Sequence, residues 1–189
     1  MSPVVRIATE QDWDAIAQLN HDTYALELGQ YTPNEFGRKV DGRHDTNVYI
    51  VAYMGEELAG MLSISLPSTA PFSTLQRLPI VSEDIRQHLP QTAEIRLLAV
   101  KPAFRGHGIF NHMMLTAVQF CYQHNIDRVL ISAIENRVPL YGYMGFQAIG
   151  EPVLEGTAVY LPMLITRQSL ESSPFAQKLA RMVGVPEVA

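Results

Sequence analysis

Residues 100–111 read VKPAFRGHGIFN, an apolar run closed by a proline and followed by an arginine and two glycines two positions apart. A strand that passes through a tight turn into a helix start offers an anion several unpaired backbone N–H groups and about half a positive charge. Phosphate is the usual occupant of such a place. Gly106 and Gly108 let the backbone close around it, and Arg105 adds a fixed cation that can meet it with two parallel hydrogen bonds. His107 lies inside the loop, within reach of a phosphate. A turn that merely connects strand to helix satisfies the same residues.

Two familiar phosphate motifs do not fit. A dinucleotide fingerprint needs G-x-G-x-x-G, but Asn111 stands at its last position, and a P-loop G-x-x-x-x-G-K-[ST] occurs nowhere. Just before the turn, Glu94 and Arg96 lie two apart in an apolar run. On a strand such residues face the same side, so the two can neutralise each other, or Arg96 can hold a substrate carboxylate.

The elements around this turn alternate strand and helix. VVRIAT predicts a first strand, and Thr9 or Asp12 can cap a helix through DWDAIAQLNHDTYALEL. NVYIVAYM and LAGMLSISL predict a hairpin around GEE. Residues 67–91 form a long connection with four prolines, of the kind that serves as a lid or stays mobile. TAEIRLLAV is the next strand. GIFNHMMLTAVQFCYQ is the helix that follows, with Phe110, Met113, Met114, Ala117 and Cys121 as its apolar stripe. DRVLISAI, a short helical VPLYGYMGF and a final strand TAVYLPMLI complete the pattern, and SPFAQKLARMV predicts a helix in the tail.

Composition narrows the classes. Apolar residues at 47% against 17% charged describe a packed globular chain, and 189 residues without a linker or repeat suit one domain over residues 1–165 with a tail over 166–189. A net charge of −5 argues against nucleic acid. The single cysteine, Cys121, excludes an internal disulfide and a Cys-based zinc cluster, and beside Phe120 and Tyr122 it reads as helix core. His107 and His112, five apart, suit no helical metal pair, and the other histidines are scattered, so no metal is expected. No apolar run approaches the ~18 residues of a spanning helix and no leader precedes the first strand, which predicts a soluble cytoplasmic protein with no membrane partner.

The turn Arg105–Ile109 resembles the R/Q-x-x-G-x-G/A loop of the GNAT superfamily of N-acyltransferases, which cradles the pyrophosphate of coenzyme A. Arg105 takes the first place and Gly108 the central one, while Phe110 stands where the family usually has Gly or Ala. EIRLLAVKP resembles the family's central strand, which splays from its neighbour so that backbone groups can pair with the pantetheine arm. ENRVPLYGYMGF resembles its N-x-x-A-x-x-L-Y-x-x-x-G-F segment, with Pro139 near the usual small residue. The resemblance spans about residues 4–165 as a fold and 94–146 through motifs. It implies an α/β (α+β) GNAT fold, a central mixed, mostly antiparallel splayed sheet flanked by helices.

By that resemblance Arg105, Gly106, His107, Gly108, Ile109 and Phe110 hold the pyrophosphate, the Leu98 N–H faces the thioester oxygen, Val100 pairs with the pantetheine and Asn136 contacts the coenzyme arm. Glu94 becomes the general base, directly or through water, and Tyr141 the group that returns a proton to the sulfur. The residues alone leave other readings open: Asn136 can cap a helix, and aromatic residues at helical spacing, Tyr143 among them, are commonly core. The chemistry needs a neutral amine, a polarised carbonyl and a proton for the thiolate. A lysine-type amine of pKa about 10.4 costs roughly 4–5 kcal/mol to deprotonate at pH 7, an α-amine near 8 only about 1 kcal/mol.

A narrower resemblance covers YALELGQYTPNEFGRKVDGRHDTNVYIVAYMGEELAGMLSIS and AEIRLLAV, which look like the acyl-homoserine-lactone synthases and N-acyl amino acid synthases. These GNAT relatives take acyl chains from acyl carrier protein. Asp41 and Asp45 echo their paired acidic positions, and Ser63 stands where they usually carry an arginine. Phe72, Leu75, Leu78 and Ile80 then either line a longer acyl pocket or simply cover the sheet.

The expectation is an N-acyltransferase that moves an acyl group, in the first place acetyl from acetyl-CoA, to the amine of a small molecule or amino acid. The alternatives are a synthase that uses longer acyl-carrier-protein or acyl-CoA donors, and a module that binds an acyl thioester without turning it over. An acyl thioester is the co-substrate in each case, and a homodimer is compatible with all three.

Overall fold

Branched and aromatic residues on both sides of Gly55 make a hairpin the favourable local structure, since glycine alone takes the left-handed turn without strain, here at φ 61. In chain order the strands are β1 (Val4–Ile7), β2 (Val48–Met54), β3 (Glu57–Ser65), β4 (Thr92–Val100), β5 (Arg128–Ile134), β6 (Gln147–Ala148), β7 (Val153–Glu155) and β8 (Ala158–Thr166). The helices are α1 (Trp13–His21), α2 (Ser73–Gln76), α3 (Glu83–Gln87), α4 (Ile109–Gln123), α5 (Val138–Tyr143), α6 (Arg167–Glu171) and α7 (Pro174–Met182). A π-helical turn, Asp22–Glu27, continues α1. The computed structural model describes residues 2–68 and 71–184.

The chain divides into two compact units, Met1–Ser65 with Ile95–Phe120, and Leu66–Glu94 with Cys121–Ala189. In the first, β1 pairs antiparallel with β2 from Val4↔Tyr53 to Ile7↔Ile50, and β2 pairs antiparallel with β3 around a bulge at Ala52 and Tyr53. The end of β4 lies next to β3, and the Lys101 amide donates to the Ala59 carbonyl at 2.9 Å. Ile16 and Leu19 of α1 pack with Tyr49, Val51, Leu58, Met61 and Ala99 as the core. Gly60 allows that packing, because a Cβ there would stand 3.0 Å from the Ala99 carbonyl oxygen and from side-chain carbons of Ile109 and Met113. At the rim, buried Asp12 accepts two hydrogen bonds from Arg6, at 2.6 and 2.8 Å, and one each from the Thr9 amide and the Tyr53 hydroxyl.

In the second unit the start of β4 pairs parallel with β5, from Thr92↔Arg128 to Glu94↔Leu130. β8 runs antiparallel along all of β5, and β6 and β7 both pair antiparallel with β8. The mixed, mostly antiparallel pairing expected of the fold is therefore present. The expected tail helix is α7, with its N-terminus capped by Ser173 and with Phe175 and Leu179 buried.

Two expectations need correction in detail, and three short elements had none. The connection 67–91 is not bare chain: it carries α2, α3 and a 3₁₀ turn over Leu89–Gln91. Of the expected α4 stripe, Met113, Met114, Ala117 and Cys121 are buried, Phe110 is only half-buried, and Ile109 and Phe120 join the buried face. β6, β7 and α6 have two, three and five residues, too few to leave a periodic pattern.

Candidate active site

The first unit holds the glycine loop. After β4 a 3₁₀ turn, Pro102–Phe104, leads into Gly106 at φ 84 and Gly108 at φ 78, and α4 starts at Ile109. A Cβ at Gly106 would meet nothing within 4 Å, so backbone conformation rather than crowding demands glycine there. No acidic side chain occupies the first turn of α4, leaving its positive end uncompensated by its own residues. His107 Nδ1 lies 3.1 Å from the Arg105 carbonyl oxygen and His112 Nδ1 3.0 Å from that of Gly108, contacts that pin the loop. Arg105 donates through Nε to the Val100 carbonyl at 3.0 Å and through Nη2 to Glu27 Oε2 at 2.5 Å.

β4 arrives at this loop with a distortion. Leu97 has φ 50, an unusual value for a branched residue and the sort of local strain that collects at working sites. Next to it, the Tyr24 hydroxyl donates to the Leu98 carbonyl at 3.3 Å, and the Ser63 hydroxyl to that of Arg96 at 3.3 Å. The Arg96 guanidinium stands 3.8 Å from Asp41, which also accepts from the Tyr49 hydroxyl at 2.7 Å. Burial, then Asp41, drives the Tyr49 phenol far above its ordinary range. Asp45 pairs instead with His44, at 2.9 Å.

The second unit holds Glu94, Asn136 and Tyr141. Glu94 is fully buried. Its Oε1 accepts from the Thr74 amide at 2.6 Å and the Ser73 hydroxyl at 2.9 Å, and its Oε2 from the Ser73 amide at 3.1 Å. The Thr74 hydroxyl lies 3.0 Å from that of Ser132 on β5, and Arg77 donates to the same Ser132 oxygen at 3.3 Å.

Tyr141 sits on α5, with its ring edge-on to Phe146 at 5.6 Å. Burial pushes its phenol up to about 12, against a smaller downward pull from Arg137. Tyr143 is partly exposed, edge-on to Phe175 at 6.3 Å. Asn136 is exposed in the 3₁₀ turn Glu135–Arg137, and the residue at the N-cap of α5 is Arg137, so the capping alternative does not apply to it. Cys121 is buried, and burial pushes its thiol up to about 11, as suits a core residue.

Leu98, Val100, Arg105 to Gly108 and Phe110 thus follow one another along the end of β4 and the loop of the first unit, while Ile109 between them is buried, and Arg96 lies close by in sequence. Four contributors had escaped the sequence: Tyr24, Glu27, Ser73 and Thr74. Only Ser73 and Thr74 carry a local signal, as residue types that favour helix starts. Among the described residues no group of three or more His, Cys, Asp or Glu is placed to hold a metal ion, and no helix is long and apolar enough to cross a membrane.

The family model described as N-acyl amino acid synthase FeeM matches residues 15–166. Among solved structures, the CoA-dependent acyl-homoserine lactone synthase BjaI, with SAM and isopentyl-CoA, superposes at TM-score 0.73 with 19% identity, over 99% of this chain and 92% of its own. FeeM itself, an N-acyl amino acid synthase from uncultured soil microbes, gives TM-score 0.69 with 20% identity, over 94% and 98%. An acetyltransferase of the GNAT family from Staphylococcus aureus Mu50 gives 0.62 with 10% identity, over 88% and 99%. Likeness at such identities is one of fold, and it is the fold that the motifs implied. No curated protein matches the chain.

Proposed function

Because the chain belongs to the N-acyl amino acid synthase FeeM family, and is by that membership an N-acyltransferase, we propose that it joins a longer acyl chain, delivered as a thioester, to the amine of an amino acid. The family favours this over the acetyl-CoA reading. So do BjaI, described with isopentyl-CoA, and FeeM, described as an N-acyl amino acid synthase.

The observation that carries the donor half is the loop Arg105–Ile109. Two glycines at positive φ and an arginine stand at the open positive end of a fifteen-residue helix. In this reading the loop, with His107 and Phe110 at its sides, holds the donor's phosphate. The Leu98 N–H polarises the thioester carbonyl, Val100 pairs with the pantetheine, and Asn136 touches the arm further on. Arg96, already beside Asp41, takes the acceptor's carboxylate. An α-amine needs only a weak base, which suits Glu94, buried and working through a water. Tyr141, its phenol held firmly protonated, donates a hydrogen bond to the departing sulfur. A cytoplasmic location fits donors of this kind.

The test is a donor and acceptor matrix: acetyl-CoA, long-chain acyl-CoA and long-chain acyl carrier protein, each with a set of amino acids, read by thiol release and by mass of the N-acyl product. Long-chain donors should exceed acetyl-CoA by about tenfold or more in kcat/KM. Acetyl-CoA as the best donor would restore the acetyltransferase reading, and binding without thiol release would leave a non-catalytic module.

A further inference from the structure

The guanidinium that the proposed donor site needs is already engaged. Its Nε–H bond to the Val100 carbonyl fixes the plane of the group, and Nη2 meets Glu27 Oε2 at 2.5 Å. Glu27 closes the π-helical turn Asp22–Glu27, in which the Leu28 amide reaches back to the Thr23 carbonyl at 2.9 Å. Such widened turns recur at functional positions. The same turn touches β4 again through Tyr24 and the Leu98 carbonyl.

We propose that Glu27 is a competing counter-ion for Arg105 that sets how strongly the site prefers a donor with several phosphates over one with a single phosphate. The inference rests on the donor site proposed above. Both side chains are partly exposed, Arg105 at 40% and Glu27 at 36%, and ion pairs in that setting are weak enough to exchange. A coenzyme A diphosphate brings more charge than one carboxylate and several more acceptor atoms, so it displaces Glu27 and keeps the helix amides as well. A carrier-protein-bound pantetheine offers one phosphodiester charge, which gains little over the carboxylate already present. Residues 101–111 contain no acidic residue, so within the loop nothing else plays this part. An ordinary surface pair would behave differently, because its loss would not discriminate between ligands by their phosphates.

Equilibrium dissociation constants for coenzyme A, 4′-phosphopantetheine and pantetheine on wild type, Glu27→Gln, Arg105→Ala and the double variant decide the matter. Glu27→Gln should tighten coenzyme A by about two- to fivefold, the range that one exposed pair supports, and 4′-phosphopantetheine by less than about twofold. Pantetheine should be unaffected, and the gain should vanish in the Arg105→Ala background. Equal tightening of all three ligands, no tightening of coenzyme A, or a gain that survives without Arg105 would overturn the inference. If Arg105→Ala weakens coenzyme A while Glu27→Gln changes nothing, the donor site stands and the counter-ion role alone falls. If Arg105→Ala leaves coenzyme A affinity intact, or neither wild type nor Glu27→Gln binds it, the donor site fails and takes the inference with it. Glu27→Ala, with no group left to bond Arg105, should repeat the Glu27→Gln pattern.

Discussion

The Thr74 amide donates to Glu94 Oε1 at 2.6 Å, and with the amide and hydroxyl of Ser73 it ties the start of α2 to a carboxylate on β4. Three donors face that carboxylate, so both of its oxygens must accept. Glu94→Gln would turn one acceptor into an NH₂ group facing another donor, in a fully buried place. The expected loss is about 1–3 kcal/mol of stability, read as a lower urea midpoint at unchanged m-value. If Glu94 also takes the amine proton, kcat must fall further than the folded fraction explains and the pH profile of kcat must change shape. A profile of unchanged shape would leave Glu94 only its anchoring role.

Tyr141→Phe removes a single oxygen and keeps the ring that meets Phe146 edge-on. Stability should therefore change by no more than about 0.5 kcal/mol. A phenol pushed up to about 12 remains protonated throughout the neutral range, so it can offer a hydrogen bond to the sulfur at every working pH. We expect kcat to fall at least about tenfold, with no inflection from Tyr141 between about pH 7 and 10 in the wild type. Single-turnover thiol release is the measurement, and equal rates in the two proteins would remove Tyr141 from the chemistry.

Asp12 gives the fold an acid limit. The Arg6 guanidinium, then the Thr9 amide and the Tyr53 hydroxyl, hold its carboxyl well below the ordinary 3.8 despite burial. With the folded-state value depressed, the unfolded chain binds more protons below about pH 4. The contribution is complete above that pH and is lost as pH falls toward the folded value. Arg6 is partly solvent-exposed, which limits the contribution to roughly 1–2 kcal/mol. Urea midpoints at pH 7 and pH 3 should drop more steeply for wild type than for Asp12→Asn. Parallel drops would mean that other carboxylates set the acid limit.

What the sequence disclosed follows from how local each cause is. Glycine at 106 and 108 announces positive φ by its identity, and the apolar run of TAEIRLLAV, interrupted only by Glu94 and Arg96 after its first two residues, marks β4 to the residue. Leu97 also has positive φ, but a leucine carries no such announcement. Glu27 lies 78 residues from Arg105 and Ser73 lies 21 from Glu94, so only tertiary structure brings these pairs together. Asp41 stood out as one of two spaced acids, but its bond from Tyr49 and its place beside Arg96 are again products of the fold. Ile109 and Phe120 widen the expected α4 stripe and Phe110 leaves it half-buried, because an apolar-rich segment does not mark the edges of its buried face.

Gly145, in the segment that resembles the family's Y-x-x-x-G-F, is needed for its backbone and its space at once. Its φ is 99, and a Cβ there would stand 2.5 Å from the Ser169 carbonyl oxygen and 3.3 Å from Ser173 Cβ. Ser169 cannot give way cheaply, because its amide bonds the Thr166 hydroxyl at 3.1 Å and its own hydroxyl accepts from the Thr166 amide at 3.0 Å. Gly145→Ala should therefore cost about 2–4 kcal/mol, strain and crowding together. In a chain of this length that lowers Tm by roughly 5–15 °C. Gly106→Ala is the control, with positive φ but open space, so only the strain of about 1–3 kcal/mol remains. Calorimetry of both variants separates the two causes: a Gly145→Ala protein that melts no lower than Gly106→Ala would mean that the Ser169 carbonyl does not limit the site.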